Sequence, residues 1–239
     1  MENLESLEKN IGDLYVELYE YTTHILTEKL DYFSGEQKAV NVYKLAKMYN
    51  IKIVEKNLES KKDLFSQEVV GYLDFYCGIT IYVNEDIGDY TKRYAVAHEI
   101  GHYLAEQYWE EYSKEANETR DNVFTRYYIA PRLPKTVEEQ ACDIIASFLL
   151  MPVSTVLDLM EEYIKEAQNS VNQRITIYSL LGYLGGRLHV EDYYTSLCFQ
   201  NIKYLCAALY ERAQKMEAEG MLEADSIYGK IKNAEWLFR

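Results

Sequence analysis

Proline, glycine and cysteine are all scarce in this sequence of 239 residues, which has 3 Pro, 11 Gly and 4 Cys. So few chain-breaking residues indicate a compact, helix-rich chain without a flexible linker. The cysteines Cys77, Cys142, Cys198 and Cys206 show no CxxC spacing. No apolar run approaches the ~20 residues that span a bilayer, and the charged start "MENLESLEKN" does not resemble a signal peptide. We therefore expect a cytoplasmic protein with reduced thiols and no contact with a membrane.

Positive charge is also in short supply, since 25 Lys and Arg face 39 Asp and Glu, for a net charge of -14. The summed field of such a chain repels phosphate, so direct binding to nucleic acid or to an anionic membrane is not expected. Hydrophobic residues make up 48 % of the chain, which is enough for a substantial core. The length suits one domain with appendages or two small domains.

Hydrophobic periodicity predicts an α+β protein in which a small mixed sheet packs on helices. Helices are predicted at 2–31, 36–49, about 89–108, 136–151, 153–168, 173–187, 190–217 and 221–237, and strands at 51–58, 70–76 and 79–83. The last two strands are expected to form a hairpin. The predicted organisation is an N-terminal helix (1–35), a core (36–152) with an insertion at 109–135, part helix and part loop, and a helical C-terminal region (153–239).

The stretch "KRYAVAHEIGHYLAEQ", residues 92 to 107, carries two of the four histidines. His98 and His102 are four residues apart, so on a helix they share one face and can bind one cation. Zinc accepts such ligands, and Glu99 beside them could take a proton from a water on an open metal position. The alternative is an ordinary amphipathic helix with a chance H-E-x-x-H. Gly101, in the helix interior, costs up to ~1 kcal/mol relative to alanine and therefore indicates the close approach of another backbone.

A third ligand is expected on "TVEEQACDIIASFLLMP", where Glu139 and Asp143 lie one turn apart on a face lined by small residues. Glu139 would bind the metal, and Asp143 could accept a hydrogen bond from the other nitrogen of a ligand histidine. In the alternative, Thr136 and Glu139 form a T-x-x-E capping box and Glu139 only satisfies a backbone N–H. Glu138 is a competitor for the metal, and Cys142 is either a soft ligand or, as we favour, a small core thiol.

The remaining histidines, His24 and His189, each stand alone in the sequence. A lone histidine is more often a surface or hydrogen-bonded core residue than a ligand, so neither is taken as a metal ligand. The group that would stabilise a developing oxyanion is not singled out by any pattern, and Tyr127, Tyr128 and His189 are equal candidates.

The two motifs together, "RYAVAHEIGHYL" followed by "EEQACDIIASFLLMP", resemble the ImmA/IrrE family of zinc metallopeptidases. Its members carry H-E-x-x-H and a later helix of the form E-x-x-A-[ND]-x-F-A-x-x-L-L-M-P. Cys142 and Ile145 are mild departures from that pattern. The resemblance covers about residues 37–152, and the segment between His102 and Glu139 is longer than is usual for the family.

This resemblance implies a gluzincin-like core in which His98, His102 and Glu139 bind Zn²⁺ and Glu99 is the general base. Known members cut helix-turn-helix repressors of mobile elements or stress regulons, so the expected activity is that of a zinc metalloendopeptidase acting on a regulatory protein. If "ITIYV", residues 79–83, is an exposed edge strand, a substrate peptide could pair with it.

DNA binding by the helical C-terminal region is a second class of function, which the sequence supports less well than peptide hydrolysis. Residues 173–209 faintly resemble a helix-turn-helix, but 190–239 carry 6 Lys and Arg against 8 Asp and Glu, which disfavours DNA binding. A helical cap on the core or a dimer surface is the preferred interpretation. The alternative function is a non-catalytic zinc-containing module that senses or controls a DNA-binding partner by contact. Glu99 argues against it, since a structural zinc needs no base.

Overall fold

The computed structural model describes residues 4–36, 38–58, 70–76, 78–116, 137–169 and 175–234, and it confirms the predicted α+β class. The helices of the described residues are α1 (Leu4–Glu28), α2 (Val42–Met48), α3 (Asp89–Ala116), α4 (Val137–Leu150), α5 (Val153–Gln168), α6 (Ile177–Leu188), α7 (Asp192–Ala218) and α8 (Ile227–Asn233), and the strands are β1 (Lys52–Lys56), β2 (Gly71–Asp74) and β3 (Thr80–Asn84). A short 3₁₀ helix, Tyr32–Ser34, follows α1. Helices therefore dominate, as the scarcity of proline and glycine predicts.

The sheet has the strand order β1-β3-β2. β1 runs parallel to β3, and β2 is antiparallel to it with Tyr72 opposite Tyr82, so the predicted hairpin is confirmed. Ile81 and Val83 are buried, as alternation along a half-buried strand requires. The idea that "ITIYV" forms an edge strand is wrong, because β3 pairs on both sides. Alternating hydrophobicity marks a strand but carries no information about its neighbours, and the edge next to the hairpin is β2.

α2 and α8 each begin six residues later than the periodicity predicts, Val42 against 36 and Ile227 against 221. α2 starts at Val42 because the Asn41 side chain accepts the Lys44 N–H at 2.9 Å and caps the helix there. α8 starts at Ile227, where Ser226 caps it in the same way. In both cases a polar side chain satisfies backbone N–H groups and fixes the end of the helix.

α3 is longer than predicted and continues to Ala116. The sequence from His102 to Ala116 contains neither glycine nor proline, so no residue ends the helix at 108. The first part of the predicted insertion at 109–135 therefore belongs to α3, and residues 117–135 lie outside the described residues.

The core is centred on α4, whose side chains from Ala141 onward are almost entirely buried. α3 packs on one side of α4, and α1 and α7 pack on its other sides. α1 and α7 also pack on each other. One cluster of buried residues includes Leu18 of α1, Ile100 of α3, Phe148 of α4 and Leu205 of α7. α4 is thus held between the sheet-bearing part of the chain and the helices from its two ends.

A buried arginine joins α3 to two distant segments. Arg93 donates to the carbonyls of Leu188 at 2.6 Å, His189 at 2.9 Å and Val40 at 2.5 Å. Burial lowers the pKa of this guanidinium to about 10. Three carbonyl dipoles therefore hold a charge in the interior and fix the end of α6 against the start of α3.

None of the described helices is long and apolar enough to span a bilayer alone. α4 and α5 reach the necessary length and apolar character only together, and they are bent by 53° relative to each other.

Candidate metal centre

The two histidines of α3 project side by side toward α4. The ring centroids of His98 and His102 are 5.0 Å apart, and both side chains are largely buried. The four-residue spacing accounts for this placement, since one helical turn separates the two positions.

Glu139, in the first turn of α4, faces both rings. Its Oε2 lies 3.3 Å from Nε2 of His98 and its Oε1 lies 3.4 Å from Nε2 of His102. Glu138 approaches only the far side of His102, with Oε1 at 3.9 Å from Nδ1. Among the described residues, His98, His102 and Glu139 are the one group of histidine, cysteine and acidic side chains arranged to hold a metal ion.

Gly101 explains how the two helices come so close. A Cβ at this position would stand 2.8 Å from the carbonyl oxygen of Cys142 and 3.2 Å from its Cα. Any other residue would push the helices apart, so the predicted approach of a second backbone at Gly101 is confirmed. That backbone belongs to α4, one turn beyond Glu139.

The Glu139 carboxylate lies at ligand-like distances from both histidines. The edge of a tetrahedron is about 1.6 times its centre-to-corner distance, so ligands about 2.0–2.1 Å from zinc lie about 3.3–3.4 Å apart. The separations of Glu139 Oε2 from His98 Nε2 and of Glu139 Oε1 from His102 Nε2 have these values, and one donor atom from each of the three residues lies within 4.8 Å of the other two. Two imidazoles and one carboxylate also form a ligand set that leaves one position open.

Glu99 lies beside the histidines under the edge of the sheet. It is 7 % exposed and accepts a hydrogen bond from the backbone N–H of Leu73 in β2. Burial raises the pKa of Glu99 to about 7, an effect that Glu139 adds to and that His98 and the Leu73 N–H oppose. A carboxylate whose pKa lies near neutrality is suited to exchange protons with a substrate or water.

Asp143 stands behind His98, on the side away from Glu139. Its Oδ1 lies 3.0 Å from Nδ1 of His98, although the Nδ1–H bond is not directed straight at that oxygen. Burial opposes a charge on His98, but Asp143 and Glu139 outweigh it and raise its pKa to about 9. Burial and the neighbouring His98 lower the pKa of His102. The arrangement stabilises a charge on His98 and disfavours a second one on His102.

Other residues considered from the sequence fall elsewhere. His24 is exposed on α1, and His189 ends α6, where its ring stacks on Tyr90 at 5.6 Å. Cys142, Cys198 and Cys206 are buried free thiols, in keeping with the expectation of reduced cysteines. Four other positions named above, Cys77, Tyr127, Tyr128 and Thr136, lie outside the described residues, so the capping box is not tested.

Sequence reasoning missed two parts of the site. The first is Tyr94, whose hydroxyl donates to Oδ1 of Asp143 at 3.1 Å. A signal was present, because Tyr94 precedes His98 by four residues and so lies on the same face of the helix. The second is the backbone of β2 at Leu73, for which the sequence holds no signal.

A mixed sheet over a helix that carries two histidines, with a glutamate from the next helix, defines the core of a zincin-like peptidase. Residues 46–177, more than half of the chain, match the model of the peptidase M78 family, described as the IrrE N-terminal-like domain. The chain belongs to this peptidase family, as its resemblance to ImmA/IrrE proteins predicted. Among curated proteins, none matches the chain significantly.

Proposed function

We propose that this protein is a zinc-dependent endopeptidase that cleaves a regulatory protein such as a helix-turn-helix repressor. The observation that carries the proposal is the convergence of His98, His102 and Glu139 on one point, with the buried carboxylate of Glu99 beside it. Family membership supports peptide hydrolysis as the class of reaction.

In the proposed reaction, His98, His102 and Glu139 hold Zn²⁺. When bound, zinc supplies Lewis acidity toward the scissile carbonyl and makes hydroxide available near neutral pH. Glu99 takes the proton from the attacking water and returns it to the nitrogen of the leaving peptide. Its hydrogen bond to the Leu73 N–H holds the carboxylate in place for both transfers.

The edge of the sheet offers a place for the peptide. The Asn84 N–H bonds the Val70 carbonyl at 2.9 Å, so alternate pairs, including Tyr72 with Tyr82, exchange hydrogen bonds across the hairpin. The backbone groups of Gly71 and Leu73 therefore point away from β3, and since the Leu73 N–H is bonded to Glu99, a peptide would pair with the groups of Gly71 and with the Leu73 carbonyl. An extended peptide pairing with β2 would lie across the base and the metal ligands.

This mode of binding also limits the substrate. Backbone pairing needs an extended segment of at least several residues, so the cleaved bond belongs in a linker or an unfolded stretch rather than in a helix. The net charge of -14 argues that the protein reaches its target by contact with protein and not with DNA. Repressors with exposed linkers between domains meet both conditions.

The test combines metal content with cleavage. Elemental analysis should find one zinc per chain in the wild type and in Glu99→Gln, and little in Glu139→Ala. A peptide library made from a proteome digest, read by mass spectrometry, should be cut by the wild type and by the matched control Glu85→Gln, which changes an exposed glutamate. Glu99→Gln should keep its zinc and lose cleavage.

The outcomes separate the two classes of function. A zinc-loaded wild type that cuts neither the library nor a panel of purified helix-turn-helix repressors would favour the contact regulator. If Glu139→Ala kept one zinc per chain, the third ligand would be a residue other than Glu139. Cleavage of the library without cleavage of any repressor would keep the peptidase and reject this class of substrate.

A further inference from the structure

Asp143 is the centre of a buried polar network behind the candidate metal centre. Its side chain is 7 % exposed, and its Oδ1 contacts both Nδ1 of His98 and the hydroxyl of Tyr94. The ring of Tyr94 stacks on that of Tyr194 in α7, with centroids 3.8 Å apart. One oxygen of Asp143 thus links a metal-binding histidine to a tyrosine that the C-terminal region holds in place.

A second arm of the network reaches the backbone of Asp143. Ser147 donates its hydroxyl to the Asp143 carbonyl at 2.6 Å. Asn201 of α7 donates its amide to the Ser147 hydroxyl at 2.8 Å and lies 3.5 Å from the same carbonyl. The turn of α4 that carries Asp143 is therefore fixed from α7 as well as from within its own helix.

The network ends in α1, where the Tyr15 hydroxyl donates to Oδ1 of Asn201 at 3.0 Å. Ser147 is fully buried, and Tyr15 and Asn201 are 8 % and 7 % exposed. Polar groups at such depth cost free energy unless they are fully paired, and an apolar core of the same shape would serve stability at least as well. What the polar network adds is a defined geometry for Asp143.

The members of the network contributed by α1 and α7 lie outside the region that matches the peptidase family. The match to the peptidase family covers residues 46–177, and both Tyr15 and Asn201 lie outside it. Glu139 and Asp143 lie inside it. The family region thus holds the metal-binding groups, and the flanking helices hold part of their support.

We propose that Tyr94 and Asn201 are positioning residues that fix Asp143, and through it the ring of His98, so that the helical C-terminal region completes the metal centre. The inference rests on the proposed zinc site. Neither residue touches the metal position. Tyr94 restrains the carboxylate and Asn201 restrains the backbone that bears it, so the two act on the same ligand along separate paths.

The test uses the full chain and metal binding rather than activity. Zn²⁺ affinity is measured by competition with a chromophoric chelator, and the ligand geometry by the visible spectrum of the Co²⁺-substituted protein. Loss of an outer-shell partner of a ligand typically weakens metal binding about 10- to 100-fold. Tyr94→Phe and Asn201→Leu act one step further out, so each should weaken Zn²⁺ binding about three- to tenfold and shift the Co²⁺ bands.

Two matched controls separate positioning from general loosening. Tyr163→Phe removes a buried hydroxyl of α5, and Thr195→Val removes a buried hydrogen bond on α7, without touching Asp143. Both should leave Zn²⁺ affinity and the Co²⁺ spectrum unchanged. Tyr94→Phe keeps the ring that stacks on Tyr194, so it decides the matter alone if Asn201→Leu does not give folded protein.

Each outcome has a defined meaning. Weaker Zn²⁺ binding and shifted Co²⁺ bands in the two test variants, with neither change in the two controls, would support the inference. Wild-type affinity and spectrum in both, or in Tyr94→Phe alone if the other variant does not fold, overturn it and leave the zinc site standing. A wild type that binds no Zn²⁺ overturns the proposed function itself, and the inference falls with it.

Discussion

The tightest contact in the site makes Gly101→Ala the most informative single substitution. The new methyl would sit 2.8 Å from the Cys142 carbonyl oxygen, whereas ordinary contacts of this kind begin at 3.4 Å. The obstacle is backbone and cannot rotate away, so α3 and α4 must separate by about 0.6 Å at this point. Metal sites hold their ligand distances within about 0.2 Å, so the separation is large enough to disturb the site.

The expected effects follow from these distances. Overpacking costs about 1–3 kcal/mol, while alanine regains ~1 kcal/mol of helix propensity, so the free energy of unfolding should fall by as much as about 2 kcal/mol. For a chain of this length a loss of that size lowers Tm by about 4–8 °C. Because Glu139 retreats from His98 and His102 with its helix, Zn²⁺ affinity should fall about tenfold or more.

The assay is thermal unfolding of the metal-free protein together with Zn²⁺ titration against a chelator. Gly182→Ala is the matched control, since this exposed helical glycine of α6 has no atom within 4 Å of a Cβ. It should raise Tm slightly and leave Zn²⁺ binding unchanged. If Gly101→Ala behaved like Gly182→Ala in both measurements, the close approach of α3 and α4 would not be what sets the ligand distances.

Three further predictions concern charge and metal. Arg93→Met leaves three interior carbonyls without their donor, so unfolding in urea should show a loss of about 3 kcal/mol or more, against little change for the exposed Arg187→Met. In the metal-free protein the raised pKa values of Glu99, about 7, and His98, about 9, mean that these two groups bind more protons in the folded state than in the unfolded chain. The lowered pKa of His102 opposes this effect only around and below its ordinary value of 6.5. Tm should therefore fall as the pH rises from 5 to 9. In Glu99→Gln the decrease in Tm below pH 7 should be smaller. A Tm that rises between pH 5 and 9 would contradict these pKa shifts. Removing metal with a chelator should leave the far-ultraviolet circular dichroism unchanged, because the core cluster lies mostly away from the site, while saturating Zn²⁺ at 100 times its Kd should add about 2.7 kcal/mol.

The helices that carry the candidate metal ligands were predictable because their signals are local. The spacing of His98 and His102 sets their common face, and the glycine between them marks a close contact whatever the partner is. Glu139 was left in competition with a capping role by spacing alone, and only the resemblance favoured it as a ligand. In the structure its two carboxylate oxygens face the two imidazoles.

The parts that escaped prediction depend on contacts between distant segments. Alternation identified β3 as a strand, but whether a strand lies at the edge of the sheet depends on which segments pair and not on the pattern within one of them. Asn201 lies 58 residues from Asp143 along the chain, on a helix interpreted as a cap. No local pattern distinguishes a buried asparagine that supports a site from an exposed one.

The packing of α1 against α7 has a consequence for how the protein is made. A Cβ at Gly12 would stand 3.3 Å from that of Ala208, so glycine at this position favours the close approach of the two helices, and Tyr15 bonds a partner 186 residues away. At about 5–20 residues per second, some 10 to 40 s pass between the synthesis of these two positions. During that time the apolar face of α1, with Leu14 and Leu18, has no α7 to cover it. A growing chain thus carries its histidine pair before α7, the support behind it, has been synthesised.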